Sequence, residues 1–413
     1  VLLVAMVMGT LVAAEDWACP NPQTSGIHVR LLERQLTDTV VLEGSLSVTG
    51  QSESNLTVVR ANATKRHFTA VSTYILTLKW LRLTGSDISN EDYPHERGGA
   101  VHVHSSASLL AEACAFVGNK AKYGGSIFGN GKITLFNTNI TDSEATQNGG
   151  GCECGAGSMC SFTNVLIKGN TASNDGGGVF LYKSTFHMLS STVEANTATE
   201  KGGGVYIDYS TASINETRFY KNEAQYRGGG IFMFGSIAYG PSVLTMSRSV
   251  LEENEQTSTA GNAYYGGGGL FIQHNSSAVL RETILLRNIA RENSDDHGHQ
   301  IMTRKANSAY TTSLGVTLIN SRVENCVESF CSTAGNFYGY NDGGTGAVAN
   351  YIGTKTCGTS PSPCAVFPFT GTCTDRSFTI LGVLCNYGAD LTCPYTKLNV
   401  TESTLPPPLA YCS

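Results

Sequence analysis

The sequence predicts an all-β fold, a single-stranded parallel β-helix with about 26 residues per coil. The phrase Gly-Gly-Gly, followed by a short apolar run, begins at Gly176, Gly202 and Gly228, at intervals of 26 residues. A second marker, an apolar residue three places before an asparagine, ends at Asn196 and Asn222 with the same interval. Two markers with one period indicate stacked units, and a unit of this length fits three short strands and three turns.

The repeat extends well beyond these copies and divides the chain. We assign residues 98–325 to regular repeats and residues 15–97 to an N-terminal cap with early coils, because the terminal repeats of a solenoid are atypical. Residues 326–413 hold eight of the thirteen cysteines and are predicted to form a small disulfide-rich C-terminal segment. The two markers recur at Gly99, Gly125, Gly151, Gly178, Gly204, Gly230 and Gly269, and at Asn119, Asn170, Asn196, Asn222, Asn254 and Asn288.

The apolar run at residues 1–14 is predicted to be part of a secretory signal peptide. It is too short to span a bilayer, and it ends with small residues at the positions that signal cleavage requires. Because it lacks an initiator Met and a basic region, we expect the sequence to be truncated there, and the odd number of cysteines predicts a second truncation after Ser413. The many cysteines fit an oxidising compartment, so we expect a secreted or cell-surface protein.

Charge and glycosylation motifs narrow the possible partners. A net charge of −6, with no basic cluster, makes nucleic acid a poor partner. No stretch after the first is apolar enough to cross a membrane. Six Asn-x-Ser/Thr motifs are candidate glycosylation sites in a eukaryotic protein: Asn55, Asn62, Asn139, Asn215, Asn275 and Asn399.

The strand that follows each glycine run has two different faces. Its first and third residues, such as Val179 and Leu181, are nearly always aliphatic or Cys and are predicted to face inward. Its second and fourth residues then point outward and include aromatic side chains on consecutive coils. Such rings stabilise one another across a sheet, but a contiguous exposed apolar patch also commonly contacts a partner. We interpret these rings as a candidate binding stripe for glycans or surface proteins: Phe128, Phe180, Tyr182, Tyr206, Phe232, Phe234 and Phe271.

The two repeated phrases resemble the GGA[ILV] and FxxN repeats of the chlamydial polymorphic membrane proteins. The resemblance implies a right-handed, pectin-lyase-like β-helix at the cell surface, acting in adhesion or as a wall or coat element. The Cys- and Pro-bearing segment after Cys326 departs from the family's pattern and, with the glycosylation motifs, favours a secreted algal or protist relative. The matching phrases are Gly98-Gly99-Ala100-Val101, Phe116-x-x-Asn119 and Phe219-x-x-Asn222.

One segment invites a catalytic interpretation. Asp295, Asp296, His299 and Arg304 are similar in type to the residues of β-helix polygalacturonases. Here they fall within a single coil, where consecutive carboxylates point in different directions and cannot flank a glycosidic bond. We therefore predict a non-enzymatic protein, with a polysaccharide lyase or glycoside hydrolase as the alternative. A purely structural coat subunit that self-assembles is a third hypothesis.

No metal or cofactor is predicted. His102 and His104 supply only two ligands, and Asp208 is isolated among the outward strand positions. The group Cys152, Cys154 and Cys160 fits a local disulfide or core sulfur better than a metal site in an exported protein. We interpret the Asn marker as a corner residue that tolerates left-handed backbone and can hydrogen-bond along a stacked column.

Overall fold

The protein is a parallel β-helix, as the repeat predicts. The computed structural model describes residues 27–30, 34–92, 95–259, 265–291, 300–305, 315–319 and 321–324, and five short strands between residues 337 and 386. These residues contain strands and turns but no helix, and hence no helix able to cross a membrane. The predicted signal segment and the cysteine side chains after residue 325 lie outside the described residues.

Three parallel sheets form the walls of the β-helix, and one antiparallel pair lies further along the chain. The repeat-strand sheet has eleven strands: Val40–Val41, Phe68–Ala70, Val101–Val103, Ile127–Gly129, Cys152–Cys154, Val179–Tyr182, Val205–Asp208, Ile231–Gly235, Leu270–His274, Ile301–Lys305 and Phe337–Asn341. The narrow sheet has seven strands: Lys120–Ala121, Glu144–Ala145, Thr171–Ala172, Thr197–Ala198, Glu223–Ala224, Glu255–Gln256 and Ile289–Ala290. The antiparallel pair is Ser377–Ile380 with Val383–Asn386.

The third and largest wall, the wide sheet, contains two columns of strands. Its 22 strands are Ile27–Arg30, Arg34–Gln35, Leu46–Thr49, Thr57–Arg60, Ile75–Lys79, Leu81–Thr84, Ser108–Glu112, Ala115–Val117, Lys132–Thr141, Met159–Lys168, Thr185–Leu189, Thr192–Glu194, Thr211–Asn215, Arg218–Tyr220, Ser242–Ser247, Val250–Glu252, Ser276–Arg281, Ile284–Leu286, Gly315–Ile319, Arg322–Glu324, Val348–Ile352 and Lys355–Cys357.

One coil shows the path that the others follow. Thr185–Leu189 and Thr192–Glu194 lie in the wide sheet, joined at Ser190, whose φ is 48°. The chain then forms Thr197–Ala198 of the narrow sheet and Val205–Asp208 of the repeat-strand sheet. Pairing in the repeat-strand sheet is continuous from Val40–Val41 to Phe337–Asn341, so coils precede the first clear glycine phrase and continue after residue 325.

The interior is a set of side-chain columns that follow the strand register. Val179 pairs with Val205, and Val205 with Ile231, so each side chain lies directly against its counterpart in the next coil. All three are fully buried, which confirms the predicted inward face. Like residues stacked in this way remove their apolar surface from water.

The Asn marker forms a buried amide ladder. Asn170 Nδ2 donates to Asn196 Oδ1 at 2.9 Å, and Asn196 Nδ2 donates to Asn222 Oδ1 at 2.9 Å. Each of these oxygens also accepts the backbone N–H of the preceding Asn, at 3.0 and 3.1 Å. The second hydrogen of Asn196 Nδ2 reaches the Ile167 carbonyl at 2.9 Å. The same pattern continues through Asn254 and Asn288.

The predicted hydrogen-bonded column is therefore confirmed, but the predicted left-handed backbone at the Asn marker is wrong. Positive φ occurs one residue earlier, at Ala195 (51°), Lys221 (54°) and Glu253 (52°). The turn is made there, and the following Asn points into the interior, where its amide satisfies backbone groups that the turn leaves without strand partners.

The three cysteines at positions 152, 154 and 160 form one disulfide and one buried thiol, as the sequence predicts. Cys154 and Cys160 form a disulfide across the turn between a repeat strand and the next wide-sheet strand, with a Cα–Cα distance of 6.5 Å. Cys152 is a buried free thiol. Both readings of the group, local disulfide and core sulfur, are thus confirmed.

The amide ladder generates the first prediction. Asn196→Ala removes the acceptor of two buried donors, the backbone N–H and the Nδ2 of Asn170. Leaving these donors unsatisfied should lower the free energy of unfolding by about 2–4 kcal/mol. Urea unfolding followed by circular dichroism measures the loss.

Asn174→Ala is the matched control, because its half-buried amide makes a single side-chain bond, to Gln147 Oε1 at 2.6 Å. We expect it to cost less than about 1 kcal/mol. If the free energy of unfolding falls equally in the two variants, the amide ladder does not stabilise the fold through its buried hydrogen bonds.

Candidate functional site

The predicted aromatic stripe is not an exposed surface. Tyr182 and Phe234 are half-buried, but the other five rings are almost inaccessible. The prediction that all seven rings form an open contact surface is therefore wrong. The exposed fractions of the buried rings are 4% for Phe128, 5% for Phe180, 7% for Tyr206, and 0% for Phe232 and Phe271.

The turn that precedes each repeat strand covers these rings. At Gly176 the chain has φ of 69° and passes so close to the strand that a Cβ there would lie 2.9 Å from the Cβ of Phe180. Only glycine fits this approach. The preceding residues pair from coil to coil, Asp175 with Lys201 and Lys201 with Arg227, and form an outer layer over the aromatic column. A second, smaller core outside the repeat-strand sheet consequently contains Phe180, Tyr206, Phe232 and Phe271.

The same column contains polar side chains at its N-terminal end. His102, at the second position of its repeat strand, is buried, and its Nδ1 lies 3.2 Å from Arg66 Nη1. Burial, and then the charge of Arg66, lower the pKa of His102 to about 2. Glu153 is also buried, between Phe128 and Phe180 in register. Burial raises the pKa of Glu153 to about 8, although the charge of Arg97 lowers it in part.

Half-buried and exposed aromatic side chains gather instead at the corner after the repeat strands. The ring centroids of Tyr182 and Tyr209 are 6.2 Å apart, and those of Tyr209 and Phe234 are 5.5 Å apart. Tyr239 lies 5.3 Å from Tyr209 and is 63% exposed. We call this group, Tyr182, Tyr209, Phe234 and Tyr239, the tyrosine corner.

A short insertion builds the outer part of the tyrosine corner. Ser236 and Gly240 exchange backbone hydrogen bonds of 2.9 and 3.0 Å and close a tight turn. Ser236 Oγ accepts the backbone N–H of Tyr239 at 3.1 Å, and the Ser236 carbonyl accepts a bond of 3.2 Å from Asn275 Nδ2. These bonds hold the Tyr239 ring beside Tyr209 instead of leaving it on a loose loop.

Lys183 lies among the rings. Its Nζ is 4.5 Å from the ring centroid of Tyr239, 5.1 Å from that of Tyr182 and 6.0 Å from that of Tyr209. These distances are typical of cation–π contacts, in which the ring faces attract a positive charge.

Carboxylates flank the tyrosine corner on the side of the outer layer. Burial, and then the charge of Asp175, raise the pKa of Asp208 to about 7. Burial raises the pKa of Asp175 to about 6, although Lys201, with its Nζ 3.4 Å from Asp175 Oδ1, opposes the shift. Burial and the neighbouring Asp208 raise the pKa of Tyr209 to about 12, so its hydroxyl stays protonated at neutral pH. The site therefore combines apolar ring faces with hydroxyl, ammonium and carboxyl groups.

Of the four rings in the tyrosine corner, the sequence pattern predicted Tyr182 and Phe234 but not Tyr209 and Tyr239. Tyr209 follows its strand at a left-handed position, with φ of 47°, and Tyr239 lies in an insertion outside the repeated phrase. Asp175 precedes the glycines and lies outside the strand, so strand alternation does not predict which way its side chain points. The insertion itself was a usable signal, because it interrupts a strict period at one corner.

The predicted glycosylation sites differ in exposure. Asn55 and Asn62 are exposed, whereas Asn139, Asn215 and Asn275 are half-buried. Asn399 lies outside the described residues, as do Asp295, Asp296 and His299 and the side chain of Arg304.

The buried acid in the aromatic column generates the second prediction. Between its ordinary pKa of 4.5 and its folded pKa of about 8, Glu153 holds a proton in the folded state that the unfolded state releases. The free energy of unfolding should therefore fall as pH rises through this window. Glu153→Gln, which resembles the protonated acid, should match the wild type at pH 5 and exceed it at pH 8.5 by an amount on the order of a few kcal/mol.

Thermal unfolding at several pH values tests this expectation. Asp175 and Asp208 have the same sign of shift, so part of the pH dependence remains in the variant. Glu223→Gln, at an exposed carboxylate, is the control. If the profiles of wild type and Glu153→Gln run parallel over the whole range, Glu153 does not titrate as described.

Comparisons with known proteins agree with this architecture. Residues 99–281 match a family model described as "Right handed beta helix region". No curated protein and no solved structure gave a match. The matched residues include every side chain of the tyrosine corner and most of the amide ladder. Together with the three parallel sheets, the match confirms the predicted fold class, and residues 99–281 are a right-handed β-helix region.

Proposed function

We propose that the protein is a non-catalytic, secreted or cell-surface β-helix that binds glycans through the tyrosine corner. The observation that carries the proposal is the convergence of aromatic rings from consecutive coils beside tyrosine hydroxyls and carboxyl groups. Sugar rings have an apolar C–H face and a polar rim. Tyrosines in a partly exposed cluster offer the matching pair of properties, a flat apolar surface with a hydrogen-bonding end.

The tyrosine corner supports this role better than the buried aromatic column does. Phe232 and Phe271 have no surface to offer a ligand, and replacing them would damage packing before it affected binding. Tyr239 and Tyr182, in contrast, can contact a ligand without any rearrangement of the β-helix.

Two observations support an extracellular location. The Cys154–Cys160 disulfide is the kind of bond that persists in oxidising compartments. The apolar run at residues 1–14 has the pattern of a signal segment. A role in adhesion or in a wall or coat, implied by the resemblance to the chlamydial polymorphic membrane proteins and their secreted algal and protist relatives, is compatible with glycan binding.

The third prediction tests the binding site. Tyr239→Ser and Tyr209→Asn each remove one ring, and Asn is chosen at position 209 because it tolerates the left-handed backbone there. Loss of a central ring should weaken glycan binding at least about tenfold. Binding is measured on an array of neutral, acidic and amino glycans, followed by calorimetry with the best ligand.

Phe136→Ser is the matched control, because Phe136 is an aromatic residue that is 43% exposed on the wide sheet, away from the tyrosine corner. It should leave affinity unchanged. The proposal fails if the array shows no glycan bound by the wild type, or if the control reduces affinity as much as the corner variants do.

A second candidate function, polysaccharide cleavage, is favoured by one observation. Asp175 and Asp208 lie on neighbouring coils, interact electrostatically and have pKa values raised toward neutrality, as a general acid requires. The ion pair of Asp175 with Lys201 weakens this candidate, because it engages one of the two carboxylates.

The fourth prediction separates the two functions. Incubation with pectin, alginate and neutral polysaccharides should release no new reducing ends and no unsaturated products. Release that disappears in Asp208→Asn, with the tyrosines intact, would replace glycan binding by catalysis as the function of this site. Release that persists in Asp208→Asn would place any activity elsewhere in the chain.

A further inference from the structure

The ammonium of Lys183 occupies a cage with three aromatic walls. Tyr182, Tyr209 and Tyr239 all lie within cation–π distance of Nζ, from 4.5 to 6.0 Å. Rings on several sides of one point are the arrangement by which proteins recognise ammonium groups.

Ring contacts, and no direct polar bond, hold the ammonium of Lys183 in the described part of the chain. Among the described residues, no hydrogen bond and no ion pair within 4 Å involves Lys183 Nζ. The side chain is only half-buried and can move into solvent. A second ammonium group can take its place, because it would make the same ring contacts that Lys183 gives up.

The electrostatic surroundings favour a positive ligand. Asp208 lies close enough to interact with Lys183, and its Oδ1 is buried without a hydrogen-bond partner in the described part of the chain. A buried carboxyl oxygen without a partner is stabilised by a donor that arrives with a ligand. The net charge of −6 also attracts cations to the protein as a whole.

We propose that the tyrosine corner selects glycans with free amino groups, whose ammonium displaces that of Lys183 from the cage formed by Tyr182, Tyr209 and Tyr239. This inference rests on the proposed function and names its ligand class. The sugar ring stacks on an exposed tyrosine, its ammonium enters the cage, and Asp208 supplies the opposite charge. An N-acetylated sugar offers the same ring but no positive charge, so it can stack but cannot replace Lys183.

A pair of oligosaccharides that differ only in acetylation tests the proposal. Calorimetry on the full chain compares a β-1,4-linked glucosamine hexamer with its N-acetylated counterpart. The glucosamine hexamer should bind at least about tenfold more tightly, as expected for a caged, charge-paired ammonium. Asp208→Asn should reduce this preference, because it removes the charge that would pair with the ammonium of the glucosamine hexamer.

A variant that empties the cage gives a second, independent readout. Lys183→Asn removes the resident ammonium and tolerates the left-handed backbone, since φ at this position is 47°. It should bind the glucosamine hexamer about two- to fivefold more tightly than the wild type, and should bind tetramethylammonium as a minimal probe. Lys132→Asn, at an exposed lysine of the wide sheet, should show neither change.

The outcomes separate the two proposals. If both hexamers bind equally and both lose affinity in Tyr209→Asn, glycan binding stands and selection of amino sugars is wrong. A preference for a galacturonate hexamer, or failure of the glucosamine hexamer to bind, also overturns the amino-sugar inference. If the wild type binds no glycan on the array, the proposed function is overturned as well.

Discussion

Backbone hydrogen bonds between successive coils hold each residue directly beside its counterpart about 26 places away, and every side-chain column in the molecule depends on this register. The amide ladder fixes the register from within. A slip of one residue would place Lys221 or Glu223 where the Asn222 amide must meet its neighbours, leaving several buried donors without acceptors. The register is thus set by polar groups as much as by apolar ones.

The sequence was sufficient to predict the coil, its period and the identity of the inward residues. Alternation along a strand decides which face a residue lies on, and Val179, Val205 and Ile231 were assigned correctly for this reason. Alternation does not determine what lies across that face. Phe180 and Tyr206 do point away from the first core, but the turn at Gly176 returns over them and encloses them. The path of that turn depends on the left-handed backbone at Gly176 and on its close approach to the repeat strand. The alternation of side chains along a strand predicts neither of these features.

The candidate site could be predicted less well because it lies where the repeat is broken. Tyr209 occupies a corner, Tyr239 an insertion and Asp175 the turn before a strand. None belongs to the repeated phrase, and their proximity arises from stacking adjacent coils. A solenoid separates its tasks in this way: the periodic positions maintain the structure, while the aperiodic ones are available for recognition.

The amide ladder also bears on how such a chain can vary over time. Every rung of the ladder uses the same amide donor and the same amide acceptor. Asn170 could therefore form with Asn222 the hydrogen bonds that it now forms with Asn196. Loss or duplication of one whole unit in the gene would therefore leave both new neighbours fully bonded. The length of the molecule can consequently change during evolution by whole coils. Each added or lost coil would change the distance between surface features on either side of it by one strand spacing, about 4.8 Å.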